Sequence, residues 1–262
     1  MDKYGHEVYL GLDISTTTIG VCILADDGSK YGKILELTHI TPKVSSKIKG
    51  IEQLFLKKKI FEEFMSKYKD IGIDHVVIES PLLQSNNVYT VSTLLRFSGI
   101  ISDSVYNTIG VVPDYISSYE ARKFSFPELV SVRKFGKNEL QHSFNDLLKD
   151  IKKSKFVLFG SYPWSIDKKT VIQEKVAENF PDVEWLYNKK GELLKQNFDA
   201  CDAYVCVLAF INLKKYGDLT FNVKNIKITN KTDDESGEET PYSIDYDVEY
   251  WGQTEHRTTY VK

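Results

Sequence analysis

Four carboxylates in this 262-residue chain fall where a strand or a helix would aim them at one point. Asp13 closes the apolar stretch Val8-Tyr9-Leu10-Gly11-Leu12, and Glu79 closes a second, His75-Val76-Val77-Ile78. Asp199 and Asp202 open an apolar helical run over 199–210. Residues at i and i+3 share a helix face, so this last pair forms a two-pronged claw. Hard carboxylate oxygens with no Cys or His beside them suit Mg²⁺ or Mn²⁺ rather than Zn²⁺. Two-metal phosphodiester hydrolysis requires a cluster of this kind.

Each acid also has a plainer reading. An Asp at a strand end is a common turn former. Glu79, before Ser80-Pro81, could merely end its strand. Asp199 and Asp202 could be an N-cap and a first-turn acid, both favoured by the helix dipole. First-turn acids are normally solvated, however, whereas this pair sits among Phe198, Ala200, Cys201, Ala203 and Tyr204. Four acids in this order, all on apolar elements, favour one shared site.

The elements that must position them follow from periodicity. Residues 7–13 and 20–25 read as strands joined by the polar turn Ser15-Thr16-Thr17-Thr18, and Lys33 to Ile40 reads as a third after the hairpin signal Asp27-Gly28. Apolar positions from Ile48 to Tyr68 predict an amphipathic helix over 47–69. A strand at 73–79, a helix from about 88 to 107 and a strand at 111–117 follow. The expected architecture is α/β, a mixed sheet flanked by helices, with a meander first and strands alternating with helices after it. Residues 125–165 read as an insertion with a helix at Asn138–Lys153 and an aromatic stretch at 156–164. A helix stop at Gly217 is expected to end the main domain, 1–216. Residues 217–262 read as a β-rich extension, with strands near 219–229, 242–251 and 256–261 and a mobile acidic loop at 233–239.

The order of these motifs resembles the RuvC family of Holliday-junction resolvases, which has the RNase H-like fold. The resemblance rests on Gly11-Leu12-Asp13-Ile14-Ser15 with its return strand Gly20-Val21-Cys22-Ile23-Leu24, and on Val76-Val77-Ile78-Glu79 with the polar break Gln84-Ser85-Asn86-Asn87. It also rests on the basic segment Asp167-Lys168-Lys169-Thr170 and on Asn197-Phe198-Asp199-Ala200-Cys201-Asp202-Ala203, and it covers roughly 7–124 and 166–214. It implies a structure-selective endodeoxyribonuclease that nicks four-way junctions in pairs, leaving 5′-phosphate and 3′-hydroxyl ends, while the departures from the compact pattern and the Lys-, Asn- and Tyr-rich composition point to an enlarged, viral or phage version. It further implies Asp13 bridging two Mg²⁺ ions, for which Mn²⁺ substitutes, with Glu79, Asp199 and Asp202 completing the cluster. Lys168 and Lys169, and likewise Arg122 and Lys123, stand where the family has basic residues; each could bind phosphate or lie on a solvated face. Asn86, Asn87 and Tyr89 fall in the stretch that the family offers to the branch point, where Tyr89 could stack on an unpaired base or pack in the core. The helix at 88–107 carries more apolar residues than one buried face needs. A twofold substrate calls for two sites, so a homodimer is expected.

Composition sets further bounds. The net charge of −3 is uneven, with residues 217–262 holding five Lys/Arg against ten Asp/Glu and the rest 29 against 27. Bound cations would neutralise the four acids and leave the body mildly basic. Cys22, Cys201 and Cys206 all lie in apolar patterns, so a reducing, cytoplasmic compartment and no disulfide are expected, in a bacterium or a virus-infected host. No apolar run approaches the roughly 20 residues of a membrane span, and no signal-peptide pattern opens the chain. The rivals are a non-catalytic scaffold for branched DNA, a nuclease of RNA–DNA hybrids, and an actin-fold kinase, whose Asp-x-Gly-Thr-Thr loop the segment 13–18 resembles. Ile14-Ser15 in place of x-Gly, and no later Gly-rich loop, speak against the kinase and a nucleotide cofactor.

Overall fold

The computed structural model describes residues 5–81, 87–130, 167–232 and 239–260. The chain divides into two compact units, one of residues 1–125 and 167–212, the other of 126–166 and 213–262.

The first unit is built on a five-stranded mixed sheet. β1 (Val8–Ile14), β2 (Ile19–Ala25) and β3 (Lys33–Ile40) form the antiparallel meander, while β4 (His75–Glu79) and β5 (Asp114–Ile116) run parallel to β1, in the order β3-β2-β1-β4-β5. β1 is therefore central. Strand side chains alternate between faces, and Val8, Leu10, Leu12 and Ile14 join Val21, Ile23, Val76 and Ile78 in one core. Helices α1 (Gly50–Met65) and α2 (Val88–Ile109) close that face with Leu54, Phe61, Met65, Phe97, Ile101 and Val105. Phe61 is fully buried, so truncating it to Ala should cost about 3–5 kcal/mol.

The opposite face carries Tyr9, Gly11 and Asp13, and the helix α5 (Phe198–Tyr216) lies across it, following α3 (Ser118–Ser125) and α4 (Lys168–Asn179) in the chain. Tyr9 stacks on His75 at 4.7 Å and meets Phe210 edge-on at 6.4 Å. Every residue of α5 from Ala200 to Ala209 is buried, which is why its sequence is apolar all round rather than amphipathic. Cys22, Cys201 and Cys206 are buried free thiols. Among the described residues no helix is long and apolar enough to cross a membrane.

Three elements are shorter than periodicity indicates. α1 stops at Met65 because the chain tightens there: Lys67 N–H donates to Phe64 O, Tyr68 N–H to Met65 O, and Ser66 Oγ to Glu63 O. β4 begins at His75 rather than 73, with Asp74 turned to accept from Val8 N–H through Oδ2. β5 is only Asp114–Ile116: Gly110 ends α2 in the left-handed conformation, and residues 111–113 have no ladder partner among the described residues.

In the second unit, β6 (Asn222–Thr232), β7 (Glu239–Tyr250) and β8 (Gln253–Tyr260) form an antiparallel sheet in that order. Gly217, at φ 72°, ends α5 and donates its N–H to Leu213 O, as the sequence indicates. A bulge with Asn225 at φ 54° shifts the register between Lys224 and Lys227, which moves the apolar series from Val223 to Ile226. Trp251 and Gly252, both at positive φ, make a two-residue hairpin turn, so β8 starts earlier than 256. Arg257 donates to the carbonyls of Val130 and Pro127 and ties 126–130 into this unit. The rest of the expected insertion, 131–166 with its helix and aromatic stretch, and most of the acidic loop, 233–238, lie outside the described residues.

Candidate active site

Sheet register brings the first two acids together. Leu12 pairs with Ile78 across parallel strands, so Asp13 and Glu79 are the next residues along β1 and β4, at neighbouring strand ends. The second pair depends on how closely α5 can approach the sheet. A Cβ at Gly11 would stand 2.3 Å from Ala203 O, and one at Gly20 would stand 1.9 Å from Asp199 O. Both distances are shorter than any real contact, so only glycine lets this helix lie so low. Gly20 is also the cross-strand partner of Asp13. The same close approach therefore sets Asp199 beside Asp13, and Asp202 follows one turn on.

Asp202 is 7% exposed, while Asp13, Glu79 and Asp199 are half-buried. Burial first, then the charges of Glu79, Asp202 and Asp199, push the Asp13 carboxyl well above the ordinary range, and Lys169 only partly opposes them. Burial, with Asp202, pushes Glu79 up to about 7 against the pull of Arg122 and Lys169. Burial raises Asp202 as well, against Lys169 and Arg122. Raised carboxyls are what buried, mutually close like charges produce.

The bases divide by helix geometry. Lys169 donates to Asp202 Oδ2 at 2.7 Å, and its ammonium also lies 5.8 Å from the Phe198 ring centroid. Burial works against the charge of Lys169, but Asp202, with Asp13 and Asp199, outweighs it and holds the ammonium above its ordinary pKa. Asp167 sets the turn by accepting from Lys169 N–H and from Thr170 Oγ1. Lys168, adjacent in the chain, cannot share that helix face. Arg122 acts on Glu79 and Asp202 and donates to Ser118 Oγ at 3.2 Å. Its neighbour Lys123 lies 4.7 Å over the Phe124 ring instead.

The branch-point stretch is placed only in part. Asn87 is the N-cap of α2, accepting from Thr90 N–H at 3.2 Å, so its amide oxygen has a structural task. Tyr89 is 75% exposed, which removes the core-packing reading. Asn86 lies outside the described residues.

Sequence reasoning missed Thr18, whose Oγ1 donates to Asp199 Oδ2 at 2.6 Å. Ser15 Oγ organises this turn, accepting from Thr18 N–H and donating to Thr18 O, and Lys57 Nζ donates to Thr16 O. The only signal was the run of hydroxyls at 15–18, which reads equally well as an ordinary turn.

A hard divalent cation suits this donor set chemically, since the four side chains are all carboxylates. Among the described residues, however, no group of three or more Asp, Glu, His or Cys is set to hold one ion. One oxygen of the four carboxylates, Asp202 Oδ2, is taken by the Lys169 ammonium.

No family model matches the sequence, and no curated protein matches it. Among solved structures, the RuvC of Thermus thermophilus in complex with a Holliday junction substrate superposes with a TM-score of 0.50 at 13% identity, covering 81% of this chain and 97% of that one. The fold is RNase H-like. A second Thermus thermophilus RuvC structure gives a TM-score of 0.46 at 12% identity, over 80% of this chain and 96% of that one. An Aquifex aeolicus member of the Ppx/GppA family gives 0.35 at 11% identity, over 79% and 90% of the two chains, and carries no weight for an actin-type reading. In this RNase H-like fold Asp13 sits on the central strand, and the other three acids arrive from β4 and α5.

Proposed function

We propose that this chain is a metal-dependent, structure-selective endodeoxyribonuclease that resolves Holliday junctions and other branched DNA by paired nicks. The observation that supports it most is the adjacency of Asp13 and Glu79 on parallel strands, with Asp199 and Asp202 delivered by a helix seated on Gly11 and Gly20. Such a cluster has no structural purpose that offsets burying so much like charge.

Asp13, Glu79, Asp199 and Asp202 would hold Mg²⁺ or Mn²⁺, two ions in the full site. The ions would activate water and relieve charge on the leaving 3′ oxygen. The chain's own cations, Lys169 and Arg122, would orient the scissile phosphate, and Lys168 and Lys123 would extend the basic surface along the backbone. Tyr89 would stack on an unpaired base at the branch. Residues 1–216 would make up the nuclease domain and 217–262 an accessory, in a homodimer working in a reducing, cytoplasmic compartment.

A non-catalytic branched-DNA scaffold has one observation in its favour, the lack of a ready three-ligand cation site among the described residues. One experiment separates the two. Synthetic four-way, three-way and linear DNA are incubated with the protein, with and without Mg²⁺ or Mn²⁺. Symmetric, cation-dependent nicks with 5′-phosphate ends support the nuclease; junction binding without any nicking supports the scaffold.

A further inference from the structure

We propose that Lys169 is a built-in counter-ion of the carboxylate cluster: it holds the cation-free protein together by occupying Asp202, and a divalent cation must displace it to load. The inference rests on the metal-dependent reading above and concerns how that site is kept before substrate arrives.

Asp202 is nearly buried on the helix that packs against the sheet. A buried carboxylate left without a partner is strongly destabilising. Lys169 supplies a partner through a direct 2.7 Å hydrogen bond to Oδ2, and its charge also acts on Asp13 and Asp199. Two anchors fix it there. The N-cap Asp167 sets the backbone of the turn, and Phe198, beside Asp199 in the chain, lies under the ammonium. Arg122 adds positive charge toward Glu79 and Asp202, but its guanidinium is hydrogen-bonded to Ser118.

One carboxylate oxygen cannot serve an ammonium and a divalent cation together, and the two cations repel. The side chain of Lys169 is 49% exposed, so water is open to receive it when it leaves Asp202. Once displaced, the ammonium stands at the rim of the site with no carboxylate of its own, free to meet an incoming phosphate. Coupling of this kind is reciprocal: the lysine's hold on Asp202 weakens cation binding by the same factor as a bound cation weakens that hold.

The test is Mn²⁺ titration by calorimetry of the DNA-free, full-length protein as wild type, Lys169→Met and Lys169→Arg. Met should bind Mn²⁺ at least about five-fold more tightly than wild type, within the usual range of such couplings. Its metal-free melting temperature should drop, and Arg should stay near wild type in both. Should Lys169→Met not fold by circular dichroism, amine acylation of the wild type read by mass spectrometry replaces it. Mn²⁺ should then raise the reactivity of Lys169 but not of Lys168. A normal wild-type isotherm with equal or weaker binding by Lys169→Met, or a Lys169 reactivity unmoved by Mn²⁺, overturns this inference alone. If no variant and not even the wild type binds Mn²⁺ at millimolar concentration, the metal-dependent reading falls and takes the inference with it.

Discussion

Gly20 lies directly beneath the backbone of Asp199, so close that a Cβ there would stand 1.9 Å from the Asp199 carbonyl oxygen. The contact joins the strand beside Asp13 to the helix that carries the other half of the cluster. Gly20→Ala should therefore force α5 off the sheet, costing about 1–3 kcal/mol as overpacking does, and should abolish cleavage. Gly99→Ala is the control. That glycine is helical with open space around it, so alanine should be neutral or stabilise by up to about 1 kcal/mol. Urea unfolding of both variants checks the pair, and a harmless Gly20→Ala would show that the helix does not need this approach.

Asp13→Asn should abolish Mg²⁺-dependent nicking while leaving junction binding intact, because it removes an anionic ligand without changing shape. Gel-shift and cleavage assays on one preparation decide it. Undiminished cutting by a sample free of contaminating nuclease would sink the nuclease assignment.

Thr18 holds one oxygen of Asp199, so Thr18→Val, which keeps the shape and loses the hydroxyl, should misorient that carboxylate. A hydrogen bond to a charged group contributes roughly 1.5–3 kcal/mol, so the Mn²⁺ concentration for half-maximal activity should rise about ten-fold or more. Thr18→Ser should restore it. Equal metal dependence in all three proteins would make Thr18 a mere turn residue.

The raised carboxyls give a pH signature in the metal-free protein. Asp13, Glu79 and Asp202 all bind protons more tightly folded than unfolded, Glu79 up to about 7. The folded state then holds the extra protons, so stability falls as pH rises. The melting temperature without metal should drop between about pH 5 and pH 8, Mg²⁺ should restore it at the upper end, and Glu79→Gln should flatten the slope. A melting temperature that rises across this window in the wild type, unchanged by Glu79→Gln, would contradict it.

On α2 the apolar residues Val88, Leu95 and Tyr106 are exposed, at 78%, 43% and 50%. A homodimer through this helix would cover them, and a twofold substrate would be cut at two sites. Sedimentation velocity, free and on a four-way junction, should show the dimer in at least the bound state. Monomer in both would refute it.

The sequence by itself determined the order of the described elements and singled out the four acids as candidates. The apolar run of β1, the continuous apolar α5 and the stop at Gly217 are each written in local composition and backbone preference, and so is the strand-end position of Asp13 and Glu79. What the sequence could not carry was distance. That Gly11 and Gly20 are the floor on which α5 rests, that Lys169 rather than Lys168 reaches Asp202, and that Thr18 spans 181 positions to hold Asp199 all depend on register and helix placement. Those are set by packing between segments far apart in the chain. Element ends were misjudged for a related reason. The close of α1 and the shortness of β5 come from tight hydrogen-bonded turns and missing ladder partners, which hydrophobic spacing does not record. Periodicity reports which side of an element is apolar; only the folded sheet decides which residues share a site.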